Sequence, residues 1–383
     1  MGTTKVALIL YTSGLQYDDR IRKEILSLCR FDKNLEFEIF AVVPQNVEEH
    51  GITDYGVKYH ILHLKSRDKY ASASHGLAKA FDFYKTLRKQ LRNFDVIWCA
   101  DIETFMFPLL LSPKKPIIWD LHELPARFMS NPIMKMVFKY LERKCRLFYH
   151  ANQSRIDYLL ANNVIKDKNK HIALRNYPEI DIASKEVKPD EMFNSFCVWL
   201  GDSKCAYVQG ISGEIRRGVE TISAVMSVPD LRAVVVGGCS DKTMNTLRAK
   251  YGSQLESRIF FVGKVPQKLT KLYMSRCCIS LVFYQMCSAN NILCEPNRLF
   301  QSLMMGLPVV VGCNKPMSEL VEKYSWGIAL DNDGENIESI TKAINDIQNQ
   351  YEDYKSRLAG VENIISWEAQ ESLLYDTFSK AIK

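Results

Sequence analysis

The sequence has no apolar run of the roughly 18–20 residues that a membrane-spanning helix requires, so integral membrane classes are not expected. Its first apolar run, Val6–Tyr11, is too short for the core of a signal peptide. Val6 also stands where a myristoylation signal behind Met-Gly would carry Ser or Thr, so lipidation is not expected. None of the 11 cysteines forms a Cys-x-x-Cys pair, and Cys277-Cys278 is a bare dipeptide. That spacing argues against zinc clusters and disulfide frameworks and predicts buried small hydrophobes instead. Low-complexity stretches and short-period repeats are missing as well. With 47% hydrophobic, 25% charged and 11% aromatic residues, the composition is that of an ordinary globular protein. The net charge of +6 is unevenly placed. Residues 1–180 hold 28 Lys and Arg against 20 Asp and Glu, and the remainder holds 22 against 24. A basic first half predicts an anionic partner. No nucleic-acid recognition motif accompanies the charge, which favours a membrane surface over nucleic acid.

A chain of 383 residues predicts two domains. In the first half, strands are expected at Val6–Tyr11, Phe37–Val43, Val57–Leu62, Asp95–Ala100, Pro116–Leu121 and Arg146–Ala151. Helix-period stretches at Arg20–Cys29, Ala78–Leu91 and Asn131–Cys145 lie between them. The second half repeats the rhythm, with strands at Ala206–Val208, Ala233–Val236, Ile259–Val262, Ile279–Phe283, Pro308–Val311 and Gly327–Leu330. Helices are expected there at Glu220–Met226, Asp241–Tyr251, Lys268–Met274, Arg298–Met305 and Glu335–Gln348. Strands alternating with helices predict an α/β fold of doubly wound parallel sheets. The polar stretch Ile180–Asn194 is expected to be the linker.

Asn297 reads as an N-cap that opens a helix after Pro296, with Arg298 and Gln301 on its first turns and Gly306 ending it before a buried strand. A helix N-terminus offers free N–H groups and a positive dipole end to a phosphate. A second element, Gly210 to Glu220, places Arg216 and Arg217 in a glycine-bounded loop between a strand and a helix, and guanidinium forks suit diphosphate oxygens. Asp331-Asn332-Asp333 reads as a turn rather than a metal motif.

These segments resemble retaining glycosyltransferases of the two-Rossmann-domain (GT-B) architecture, family four in particular. Pro296-Asn297-Arg298-Leu299-Phe300-Gln301 followed by Gly306-Leu307-Pro308-Val309-Val310 is similar to the family's Pro-Asn-Lys/Arg-Leu-Phe-Glu helix and Gly-x-Pro-Val-Val strand. Tyr207 to Gly210, Arg217 to Glu220, Phe261 to Pro266 and Ser366-Trp367-Glu368 resemble its strand, Arg-Gly loop, nucleobase-facing loop and final turn. In the first half, Asp19 to Glu24, Cys99-Ala100-Asp101 with Thr104, Asp120 to Leu124, and Arg175 to Pro178 resemble further family segments. The matches run from about residue 8 to residue 370.

The resemblance implies an acceptor-binding Rossmann-like domain over 1–180 and a nucleotide-sugar domain over 193–365, facing a central cleft. A C-terminal helix over 366–383 would return to the first domain. It implies a metal-independent hexosyltransferase that moves a sugar from a UDP- or GDP-sugar to a glycan or lipid-linked acceptor. Such an enzyme would serve polysaccharide or glycoconjugate synthesis in the cytoplasm, peripheral to a membrane. His122 would contact the transferred sugar or the acceptor, and Arg217 and Arg298 the leaving diphosphate. Ser13, Gly14, Gly210, Gly263, Val265, Asn297 and Gln301 would line the nucleotide-sugar site. The leaving diphosphate would accept the acceptor's proton in a front-face reaction. No cofactor beyond the nucleotide-sugar is implied. Of the family's two glutamates eight apart, Leu293 stands where the first would be and Gln301 where the second would be, with Glu295 close by. That departure keeps a catalytically silent glycan-binding or partner subunit as an alternative, and a sugar-nucleotide epimerase is another. Two basic stripes, Lys85, Arg88, Lys89 and Arg92, and Lys135, Lys139, Arg143 and Arg146, are expected on helix faces, ready for an anionic lipid surface.

Overall fold

The computed structural model describes residues 2–71, 74–112, 114–211 and 213–383, with the side chains of Tyr17, Arg127 and Phe128 set aside. Ser212, in the expected glycine–arginine loop, lies outside the described residues. The chain forms two compact units, Met1–Asn176 with Gln370–Lys383, and Tyr177–Ala369.

The first unit is built on β1 (Thr4–Tyr11), β2 (Leu35–Val42), β3 (Glu49–Ile52), β4 (Lys58–Ile61), β5 (Val96–Ala100), β6 (Ile117–Leu121), β7 (Leu147–His150) and β8 (His171–Ala173). Their order is β3-β4-β2-β1-β5-β6-β7-β8, parallel except for the antiparallel pair β3 and β4. Every residue of β5 and β6 is buried, as a parallel sheet covered on both faces requires. The register pairs Cys99 with Trp119, so Trp98 and Trp119 point to opposite faces. Trp98 stacks on Phe378 of the helix Glu371–Ile382, and Trp119 stacks on Phe138 of the helix Pro132–Lys144. The C-terminal helix therefore returns to the first unit, where Glu371 Oε1 accepts from Ser27 Oγ and Arg30 Nη2, both at 2.6 Å.

The second unit holds β9 (Lys204–Ile211), β10 (Leu231–Cys239), β11 (Ile259–Gly263), β12 (Ile279–Val282), β13 (Val309–Val311) and β14 (Gly327–Ala329). These run in the parallel order β11-β10-β9-β12-β13-β14. Both sheets are doubly wound. The order reverses between β1 and β5 in the first and between β9 and β12 in the second. Ligands of open α/β sheets bind outside the strand C-terminal ends at such reversals.

Several elements differ from expectation. Strands β3 and β8 are too short to carry a periodic signal. The expected linker Ile180–Asn194 runs into a helix, Glu191–Leu200, capped by Asp190, whose side chain accepts from Phe193 N at 2.8 Å. That helix buries Phe193, Phe196 and Leu200. The helix expected over Ala78–Leu91 ends at Leu87, and a 3-10 turn follows at Gln90–Asn93. Lys85, Arg88, Lys89 and Arg92 consequently do not share one α-helical face. In the second stripe, Arg146 lies past the helix and donates to Ala381 O at 3.2 Å. Among the described residues no helix is long and apolar enough to cross a membrane.

Candidate functional site

At the reversal in the second unit, Gln209 and Gly210 lie at the C-terminal end of β9, while Phe283 and Tyr284 follow β12. Arg298 ties these two strand ends together. It is 5% exposed. Its Nη1 donates to Gln209 O at 2.5 Å and its Nη2 to Phe283 O at 2.9 Å. Its guanidinium lies 4.7 Å from the Tyr284 ring centre, a cation–π distance. Burial, aided by the like charge of Arg216, lowers its pKa from the ordinary arginine value. The guanidinium expected beside a phosphate is thus turned inward onto two carbonyls.

The helix Asn297–Met304 begins one residue earlier than Asn297's expected capping role requires. Pro296, with φ −76° and ψ 144°, occupies the cap position, and no side chain caps the helix. Asn297 is its first helical residue and is exposed. On the same helix Gln301 is 4% exposed, and its Oε1 is buried without a hydrogen-bond partner. A buried acceptor left open costs about 1–3 kcal/mol, so Gln301 is poised for a donor such as a hydroxyl.

Gly210 has φ 61°, and a Cβ there would lie 2.5 Å from Arg216 Nη1. Arg216 Nη1 in turn donates to Gly210 O at 3.3 Å. Arg217, in the left-handed region at φ 50°, donates from Nη2 to Asp333 Oδ1 at 2.6 Å. It also lies 3.4 Å from Glu220 and 3.5 Å from Glu335. The stretch around Asp333 is a turn, with Gly334 N donating to Asn332 Oδ1 at 3.0 Å. Its second role, holding Arg217, has no signature in the sequence. Gly263, at φ 78°, ends β11 two strands from β9, and Val265 beyond it is half-buried against the core around Tyr207 and Val236.

At the reversal in the first unit, Ser13 is exposed after β1. Gly14 is buried, and its N–H donates to Thr12 Oγ1 at 3.2 Å. Asp101 follows β5 with φ 60° and ψ 171°, a region nearly reserved for glycine that costs about 1–3 kcal/mol. Its carbonyl accepts from Trp119 Nε1 at 2.9 Å and Thr104 Oγ1 at 2.7 Å, and its own N–H donates to Asp120 O at 2.7 Å. Those bonds fix the strained backbone. The motif containing Asp101 was legible, but this conformation was not.

His122 sits after β6 between two carboxylates. Nδ1 lies 3.0 Å from Asp101 Oδ2 and Nε2 2.8 Å from Asp120 Oδ2, while its backbone N–H donates to Asp101 Oδ1 at 3.0 Å. Burial pulls the imidazole pKa down, but the Asp101 and Asp120 carboxylates outweigh it and raise the pKa well above the ordinary value. With both nitrogens directed at carboxylates, His122 is a held cation rather than a free base. Asp120 is fully buried. Burial would raise its pKa, but Arg20 and His122 hold it far below the carboxylate range. Arg20 grips it with Nε at 2.9 Å and Nη2 at 2.8 Å, and donates to Leu174 O at 2.7 Å. Glu24, 2.9 Å from Arg20 Nε, is pushed well above the carboxylate range by burial and by Asp120.

No family model and no curated protein matches the chain. Solved structures do. Sucrose-phosphate synthase from Thermosynechococcus elongatus superposes with a TM-score of 0.74 at 13% identity, covering 98% of each chain. A UDP-forming α,α-trehalose-phosphate synthase from Burkholderia xenovorans gives 0.73 at 13% identity, covering 99% of this chain and 98% of its own. Anabaena HepE in complex with UDP gives 0.69 at 13% identity, covering 98% and 100%. At that identity the likeness establishes the fold, GT-B, over nearly the whole chain.

Proposed function

We propose that the protein is a retaining glycosyltransferase that uses a nucleotide-sugar donor, with the donor held by the second unit and the acceptor by the first. The observation that carries this reading is Gln301 Oε1, a buried acceptor without a partner, on a helix whose N-terminus no side chain caps, beside a reversal in strand order. A ribose hydroxyl would satisfy the amide oxygen, and the helix N-terminus would meet a phosphate. HepE has been solved with UDP, with UDP and glucose, and with UDP-glucose, which favours a UDP-sugar here.

In the proposed step the acceptor hydroxyl oxygen bonds to the sugar's anomeric carbon as the bond from that carbon to the diphosphate breaks. The hydroxyl proton passes to the departing diphosphate oxygen on the same face, so the anomeric configuration is kept. The protein's part is positioning and charge stabilisation. Arg298 acts by holding the ends of β9 and β12. Arg216, Gly210 and the N-terminus of the helix Asn297–Met304 face the diphosphate, and Gly263 and Val265 the nucleobase. In the first unit Asp101, held by His122, orients the acceptor. The acceptor class proposed is a glycan or lipid-linked sugar.

The test is a thermal-shift and calorimetric series with UDP, UDP-glucose, GDP and a GDP-sugar, followed by product analysis with the ligand that binds. A ligand at 100 times its Kd stabilises the native state by about 2.7 kcal/mol. No response to any nucleotide would remove the donor site from this chain. One observation favours a second reading, a catalytically silent partner subunit: Arg217 and Arg298 are both engaged by the protein's own acceptors. Nucleotide binding with neither transfer nor hydrolysis, across a panel of acceptors, would select it.

A further inference from the structure

Three helices of the first unit carry exposed apolar side chains beside unpaired cations. On Pro132–Lys144, Ile133, Met136 and Tyr140 are 70%, 71% and 47% exposed and recur at i, i+3 and i+7, so they form one stripe. Lys139 and Arg143 flank it. On Gly76–Leu87, Leu77, Phe81 and Lys85 form a second line at i, i+4 and i+8, with the two apolar residues 65% and 50% exposed. Between the two helices lies Met106–Leu110, whose Leu110 is also exposed. Lys144 Nζ joins it to the first helix by donating to Leu109 O at 2.9 Å and Leu111 O at 2.6 Å. The rings of Tyr84 and Phe107, 5.7 Å apart, join it to the second.

Acidic side chains are withheld from this surface. Glu142, the one acid on Pro132–Lys144, is buried and accepts from Lys166 N and Asp167 N at 2.7 and 2.8 Å. Asp82, the one acid on Gly76–Leu87, accepts from Ser66 N at 2.8 Å. Residues 105–119 contain no Asp or Glu. Among the described residues no ion pair joins Lys85, Arg88, Lys89, Lys139 or Arg143 to an acid.

We infer that the outer surface of this three-helix layer docks the protein on a membrane of anionic lipid. Single exposed apolar residues are ordinary on a protein surface. Here they are aligned, and the charge around them is of one sign. Apolar side chains that enter the headgroup boundary, set among cations that meet anionic headgroups, are the arrangement of an interfacial surface. The charge decides the occupant: a zwitterionic surface would leave the cations uncompensated, and a second copy of this chain would set cation against cation. The inference stands apart from the donor site, because it uses no residue of the second unit.

The experiment is flotation of the full chain with vesicles of phosphatidylcholine alone, or with about 30 mol % phosphatidylglycerol. Binding to the anionic vesicles is expected to exceed binding to the neutral ones at least ~tenfold, and to fall ~tenfold or more between roughly 0.05 and 0.5 M salt. Lys139→Glu with Arg143→Glu should abolish it. Ile133→Ser with Met136→Ser should reduce it ~tenfold while leaving the Tm and the UDP response of the wild type, since both side chains already face solvent. Equal binding to the two vesicle types, or variants that float like the wild type, would overturn the inference. A concentration-dependent dimer lost in the Ile133 and Met136 variant, without vesicle binding, would also overturn it and assign the face to a second copy. Vesicle binding without any nucleotide response would sink the donor reading alone.

Discussion

Arg217 and Asp333, 116 residues apart in the chain, are joined by a 2.6 Å bond from Nη2 to Oδ1. The other carboxylate oxygen, Oδ2, accepts from Met286 N at 2.9 Å, so Asp333 pins the loop after β12 as well. A diphosphate arriving at the Gly210 loop would compete with this carboxylate for the arginine.

Asp333→Asn tests that competition. Removing the negative charge should raise UDP affinity threefold to tenfold, which is about 0.7–1.4 kcal/mol. It should also lower stability by about 1–2 kcal/mol through the lost charged hydrogen bond. Calorimetric titration with UDP reads the first effect and chemical denaturation the second. An unchanged UDP affinity would place Arg217 outside the donor site.

Gln301 offers a cleaner test because its amide oxygen has no partner to lose. Gln301→Leu should weaken nucleotide binding by about 1–3 kcal/mol, since ribose hydroxyls would be buried unpaired. In the absence of ligand the same change should leave stability unchanged or raise it. Gln301→Glu should bind UDP at least as well as the wild type, because a carboxylate accepts from two hydroxyls. Equal UDP affinity in the Leu variant and the wild type would remove Gln301 from the ribose.

Arg298 is expected to behave as a positioning residue. Arg298→Ala leaves two buried carbonyls open and should cost about 2–4 kcal/mol of stability. Arg298→Lys should recover part of that loss. In the Lys variant the UDP affinity of the folded protein should fall less than about threefold. A fall of a hundredfold with an unchanged Tm would instead mean that the guanidinium touches the diphosphate.

The carboxylate–imidazole cluster predicts a pH dependence with two limbs. His122 has its pKa raised from 6.5 in the folded state, so its stabilisation is complete below that value and is lost as pH rises through the raised one. Glu24, raised from 4.5, loses its contribution in the same direction. Asp120 is lowered from 3.8, so its contribution is complete above that value and is lost as pH falls through the lowered one. Urea denaturation across pH should therefore show stability falling on the alkaline side. His122→Gln should cost about 2–3 kcal/mol at pH 6 and flatten that alkaline fall. Glu24→Gln should be neutral or stabilising at pH 8. A His122→Gln profile parallel to that of the wild type would show that the ring is uncharged in the folded protein.

Much of the fold was legible because its signals are local. Val96–Ala100 and Ile117–Leu121 read as strands because every residue in them except Asp120 is apolar. Glu49–Ile52 could not be read so, since a four-residue edge strand with two polar residues and a glycine carries no period. The helix Glu191–Leu200 did carry one, in Phe193, Phe196 and Leu200 behind the Asp190 cap, but the charged residues before it read as linker.

The sequence by itself determined the elements of the candidate site: where the glycines permit a tight approach, and that a helix opens just after Pro296. These follow from backbone preferences within a few residues. Tertiary structure decided what the charged side chains do. An arginine side chain reaches whatever acceptor the strand order brings near, and Arg298 meets Gln209 O only because β9 and β12 are neighbours in the sheet. Likewise the His122 pKa is raised because β5 and β6 set Asp101 and Asp120 on either side of its ring, where two negative charges, one of them fully buried, outweigh the desolvation of one positive one.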